Sequence, residues 1–206
     1  MLVDKTVREL ITAFSAPEPT PGGGSASALA SALGVSLLIM VAGLTKTRNA
    51  SDDDRAVLAA ASTALAEIRE ALTDAIDADS AAYDHVVAAY KLPKGTPEEQ
   101  GTRKAAIQRA LRAATDVPLS VMRFSARACE RAATIAEYGH RAAASDVGVA
   151  IALLRAGLHG AGLNVESNLG SIADTAYVDA VRAEAAALTD RTADSVGAAE
   201  ALLQER

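Results

Sequence analysis

Residues 21–44 read PGGGSASALASALGVSLLIMVAGL, and from Ala26 to Leu44 no side chain carries a charge. An uncharged run of about 20 residues is long enough to cross a bilayer. This one, however, is rich in Ala, Gly and Ser, with Ser27, Ser31 and Ser36 spaced through it and no aromatic belt or basic flank. A helix apolar all round and built of small residues is more simply one packed inside a protein, where Ala28, Ala32 and Ser36 let neighbours approach closely. The expectation is a central helix buried on every side, with no membrane as partner.

The chain on either side of it reads as amphipathic helix. Val7, Leu10, Ile11 and Phe14 give a short helix over 4–14, which Pro17, Pro19 and Pro21 end. Ser51 followed by Asp52, Asp53 and Asp54 is an N-cap with an acidic first turn. The helix it starts has an apolar line at sevenfold spacing through Leu58, Leu65, Leu72 and Val86, and Leu92-Pro93-Lys94-Gly95 stops it. Thr96-Pro97-Glu98-Glu99 has the form of a capping box with Pro at the first helical position. In the helix that follows, Pro118 is expected to kink or break the run, which continues through Val121, Met122, Ser125, Cys129 and Ile135 to Gly139. Ser145-Asp146 is expected to cap a helix reaching Leu169, and 177–203 supplies the last, with Tyr177, Val181, Leu188 and Val196 inward. Nowhere does a period of two with β-branched enrichment persist. The fold class is therefore all-α, a single-domain multi-helix bundle over 1–206 with a buried central helix.

Twenty basic against twenty-six acidic residues, spread along 206 positions, argue against a polyanion such as nucleic acid as partner. One cysteine cannot form an intrachain disulfide, and charges at Asp4, Lys5, Arg8 and Glu9 interrupt any leader-like run. Both fit a cytoplasmic protein. His85, His140 and His159 have no metal-ligand spacing, so no metal is expected. Ser25 and Ser27 have no neighbouring histidine in sequence, so a serine nucleophile has no visible apparatus.

Three features carry chemistry. Gly22, Gly23 and Gly24 before Ser25 strip Cβ atoms from a helix N-terminus, which suits either an anion or a tight turn in close packing. Asp79 stands where the sevenfold line calls for another leucine. A carboxylate on an apolar face has its proton affinity raised by desolvation, the condition for acid–base work near neutral pH, unless a cation or amides offset it. Tyr83, one turn on, faces the same way, whereas Asp77 points to the other side of the helix. Thirdly, Asp146, Ala150, Leu153, Gly157, Gly160, Asn164 and Asn168 fall on one helix face at spacings of three and four. Its asparagines can either read amide-like edges of a heterocycle or bridge helices.

The order of these motifs resembles the folate cyclodeaminase/cyclohydrolase family: Pro19-Thr20-Pro21-Gly22-Gly23-Gly24-Ser25, Asp79 to Tyr83, Leu92 to Thr96, Val117-Pro118-Leu119, Ser145-Asp146 and Asn164-Val165-Glu166-Ser167-Asn168. The resemblance implies an all-helical homodimer acting on tetrahydrofolate one-carbon units, with the folate as substrate, no metal and no separate cofactor. It implies Asp79 as the catalytic acid–base, with Asp146, Asn164 and Asn168 holding the pterin. Gly22 to Ser25 would face the substrate or its carboxylates. Where many members carry Gly-Lys-Lys-Lys/Arg-Tyr this chain has Thr45-Lys46-Thr47-Arg48-Asn49, so Lys46 and Arg48 are the cations left for a glutamate tail. Gly139-His140 replaces a usual Gly-Asn. The implied reaction is hydrolysis of 5,10-methenyltetrahydrofolate to 10-formyltetrahydrofolate. The alternatives are formiminotetrahydrofolate cyclodeamination with release of ammonia, and a non-catalytic folate-binding dimer.

Overall fold

The computed structural model describes residues 1–44 and 51–205. Its elements run α1 (Val7–Phe14), α2 (Gly23–Gly43), α3 (Asp52–Tyr90), α4 (Pro97–Tyr138), a single 3₁₀ turn (Arg141–Ala143), α5 (Ala144–Leu169) and α6 (Thr175–Gln204). Among the described residues there is no strand, as the absence of period-two patterning implies.

The helix starts follow from local chemistry. Ser51 and Thr96 each accept from the N–H three residues on, and Asp54 and Glu99 reach back to close capping boxes. Pro97 occupies the first turn of α4, where its missing N–H costs nothing. The start of α5 differs from expectation. Ser145-Asp146 does not cap it; the 3₁₀ turn leads directly into the helix, Ala143 holds the cap position without a side-chain bond, and Asp146 lies inside the first turn. Its charge there still matches the positive end of the helix.

Helix α2 sits among α3, α5 and α4, and α6 lies against α4 and α5. Ala28, Val35 and Leu38 are fully buried. Close approach to α5 depends on small residues: a Cβ on Gly157 would collide with the Ser31 hydroxyl and lie 2.7 Å from the Ser27 carbonyl, and one on Gly34 would lie 2.8 Å from the Ala150 carbonyl. The hydroxyls find partners, Ser27 on Gly23 C=O at 2.7 Å and Ser31 on Ser125 Oγ at 2.7 Å, so polar groups inside the bundle are not left unpaired.

Burial is not complete on every side, however. Leu33, Met40 and Leu44 are 50, 41 and 40% exposed, and with half-buried Leu37 they form one stripe along α2. By length and composition alone both α2 and the 141–169 segment are apolar enough to cross a membrane. In this fold their other faces are core.

The sevenfold line on α3 is core as read: Leu65 and Leu72 are fully buried and Leu58 nearly so, with Val86 packed at its edge. Helix α1 is peripheral, held through its leading segment, where Leu2 N–H donates to Asp77 at 2.5 Å. Pro118 does not break α4, which runs unbroken from Pro97 to Tyr138. A proline in a helix interior removes one donor and frees the carbonyl four residues earlier. That carbonyl, on Ala114, accepts from Asn168 Nδ2 of α5 at 2.9 Å, so the gap is filled from outside the helix.

Candidate active site

Helix α2 starts on three glycines and its cap residue, Gly22, offers no side-chain acceptor. The first-turn N–H groups therefore need an acceptor from elsewhere. Asp79 of α3 supplies it: Ser25 N–H donates to Asp79 Oδ2 at 2.9 Å. The Ser25 hydroxyl lies between the same oxygen (3.1 Å) and the Ile76 carbonyl (2.8 Å), with Ser80 Oγ at 3.3 Å. Gly24 has to be glycine for this, because a Cβ there would overlap the Asp79 carboxylate. The anion at the glycine-rich helix end is thus the protein's own carboxylate, which is the structural reason that an aspartate interrupts the leucine line of α3.

Two influences oppose each other at Asp79. Desolvation raises its pKa, and the hydrogen bonds from the Ser25 side chain and backbone lower it; burial prevails, so the carboxyl holds its proton more strongly than an ordinary aspartate. Asp77, two residues away, is bonded instead to the N–H groups of Leu2 and Val3 at 2.5 and 3.3 Å, and so occupies a separate environment as the helical period requires.

The carboxylate opens onto a cavity of about 280 Å³ lined by Gly22, Gly23, Gly24, Asp79, Asn164 and Asn168, with Tyr83 and Val86 from α3 and Leu111 and Ala114 from α4. Tyr83 is 41% exposed at its rim. Ser25 is fully buried behind Asp79 and acts on the site by holding it. Gly23 approaches Asn164 closely: a Cβ there would meet its amide nitrogen at 3.3 Å. Both asparagines have their amino groups tied back, Asn164 to Gly160 C=O at 2.8 Å and Asn168 to Ala114 C=O at 2.9 Å.

Asp146 is not brought here. It precedes Asn164 by 18 residues on the same helix, about 27 Å away at 1.5 Å per residue. Lys46 and Arg48 fall outside the described residues. Pro19 and Thr20 of the glycine motif and Val86 of the sevenfold line also line the cavity, and Leu111 and Ala114 join it without having been singled out in the sequence. Ala114 was recognisable as the carbonyl that Pro118 must release.

A larger opening of about 480 Å³ between α4, α5 and α6 is lined mainly by apolar groups such as Met122, Leu158 and Val196. Its charged residues Arg155 and Glu200 pair with each other at 3.5 Å. Cys129 is buried and its thiol is pushed up to about 12, chiefly by desolvation, which removes it as a nucleophile. Among the described residues no three His, Cys, Asp or Glu side chains are grouped to hold a metal ion.

Residues 6–187 match the family model described as formiminotransferase-cyclodeaminase. The chain is 36% identical over 203 residues to a methenyltetrahydrofolate cyclohydrolase of Methylorubrum extorquens, covering 95% of this chain and 98% of that protein. It is 33% identical over 181 residues to the formimidoyltransferase-cyclodeaminase of Rattus norvegicus, covering 88% of this chain and 34% of that longer protein. In structure it resembles the formiminotetrahydrofolate cyclodeaminase of Thermotoga maritima with a TM-score of 0.88 at 25% identity, over 100% of this chain and 98% of the other. All-helical fold of the described residues, motif order and near full-length likeness agree, and the chain belongs to the formiminotransferase-cyclodeaminase family.

Proposed function

We propose that this protein is an enzyme that hydrolyses 5,10-methenyltetrahydrofolate to 10-formyltetrahydrofolate, with Asp79 as general acid–base. The observation that carries the reading is a carboxyl of raised proton affinity, held on a helix N-terminus by Ser25 and opening into a cavity between helices. The near full-length likeness to a cyclohydrolase favours this substrate over others of the family.

The methenyl bridge is a cation shared between N5 and N10. A carboxylate beside it stabilises that charge and takes the proton of a water as its oxygen bonds to the bridge carbon. When the C–N5 bond of the resulting tetrahedral adduct breaks, the same carboxyl returns the proton to N5, the adduct hydroxyl gives up its remaining proton to solvent as its oxygen becomes the carbonyl, and the formyl group stays on N10. One group thus serves as base and then as acid, which a raised proton affinity favours. Substrate specificity would come from Tyr83, Asn164, Asn168 and the glycine backbone. The glutamate tail would fall to Lys46 and Arg48.

The same residues suit cyclodeamination, in which N10 attacks a formimino carbon on N5 and ammonia leaves; the structural likeness to a cyclodeaminase favours this as the second reading. Purified protein offered each folate at neutral pH separates the two. Loss of methenyl absorbance well above buffer, without ammonia release from the formimino substrate, is expected. The reverse pattern makes it a cyclodeaminase, and inertness to both overturns the enzyme reading in favour of a folate-binding dimer. On this reading the protein works in the cytoplasm without a resident cofactor, and a second copy of the chain covers the exposed apolar stripe of α2.

A further inference from the structure

We propose that Pro118, which lies outside the residues lining the cavity, is a positioning residue of the site and acts through Asn168. Pro118 is buried in the middle of α4 and has no N–H to give. The Ala114 carbonyl, four residues earlier and on the cavity wall, therefore lacks its helical donor, and Asn168 Nδ2 donates to it at 2.9 Å. An amide has one donating and one accepting end. With one N–H of its amino group committed to Ala114, Asn168 is held with that end on α4 and keeps its carbonyl oxygen and a second N–H for other partners, whereas the reversed orientation would set its oxygen against the Ala114 oxygen. Asn164 is fixed in the same sense by its bond to Gly160 C=O. Asn164, Asn168 and Asp79 all line the cavity, and with the amide orientations fixed their oxygens can accept from a ligand edge made of N–H donors. A 2-amino-4-oxo pyrimidine edge, such as a pterin carries, is of that kind, so the ligand's identity here rests on the folate reading.

The proline is thus the feature that sets which end of Asn168 a ligand meets. In Pro118→Ala the residue 118 N–H supplies the helical bond to Ala114, and Asn168 is no longer the only donor fixing that orientation.

A double-mutant cycle on the full chain tests this. In the wild-type background Asn168→Ala strands a half-buried carbonyl, and Tm should fall by about 3 to 6 °C. In the Pro118→Ala background the same change should cost less than half as much, because residue 118 then serves Ala114. Pro118→Ala alone should raise KM for methenyltetrahydrofolate about five- to tenfold, the worth of one hydrogen bond to the ligand, with kcat falling much less. Pro118→Ser restores the same N–H and must repeat the pattern. Equal Tm losses in both backgrounds, or a KM that neither Pro118 variant moves, would overturn the proposal. A wild-type protein inert to both folates sinks the function reading instead, and the Tm cycle then decides alone whether Pro118 fixes Asn168.

Discussion

At the scale of single residues, Asp79 and Ser25 form one unit. The serine N–H and hydroxyl favour the charged carboxylate, desolvation favours the neutral acid, and the second prevails. Activity that needs the carboxylate as base should therefore rise with pH through an apparent pKa above that of an ordinary aspartate. Ser25→Ala removes a bond that lowers the Asp79 pKa, so this rising limb of kcat/KM should move to higher pH. A limb that stays put, or moves to lower pH, would mean that Asp79 does not set it. The sign for stability is the opposite of that for activity: a carboxyl with a raised folded-state pKa contributes stability in acid that is lost as pH rises through that pKa. Asp79 was legible in the sequence because it breaks a leucine line. Its partner was not, because nothing in a string of residues says that a cap lacking on α2 is supplied from α3.

At the scale of elements, the contact between α2 and α5 rests on Gly157 meeting Ser27 and Ser31. Gly157→Ala should lose about 1 to 3 kcal/mol, since the obstruction is partly backbone and cannot turn aside. Gly197 of α6 is the control, because a Cβ there meets nothing within 4 Å. Gly197→Ala should gain about 0.5 to 1 kcal/mol from helix propensity, and denaturant unfolding of the two variants reads both signs. Losses of similar size in both would show that packing on Ser27 and Ser31 is not what glycine provides. The caps at Ser51 and Thr96 were readable because capping is local, with donor and acceptor three residues apart. Pro118 was expected to kink or break α4, and it does not break it; the donor that serves the carbonyl it frees, Asn168, lies 54 residues away, where no local pattern shows it. Similarly, Ser145-Asp146 has the composition of a cap, but a 3₁₀ turn from Arg141 carries the chain into α5 ahead of it.

For the whole molecule, the all-α class followed from period and composition, whereas the burial of α2 was overstated. Hydropathy does not distinguish a face covered by the same chain from one left open, and Leu33, Met40 and Leu44 remain open. On the proposed pairing, a second copy would cover Leu33, Met40 and Leu44. Sedimentation velocity at micromolar concentration should give a dimer for the wild type and a monomer of unchanged helicity for Leu33→Glu/Met40→Glu. A wild-type monomer, or a variant that still pairs, removes α2 as the interface. The central claim concerns chemistry and is tested most directly by the initial rate of methenyltetrahydrofolate absorbance loss at neutral pH, wild type against Asp79→Asn. The asparagine keeps an oxygen to accept from Ser25 but cannot carry the proton, so the rate above buffer should fall about 10²- to 10⁴-fold while the fold is retained. A folded Asp79→Asn that hydrolyses the substrate as fast as the wild type would contradict the account.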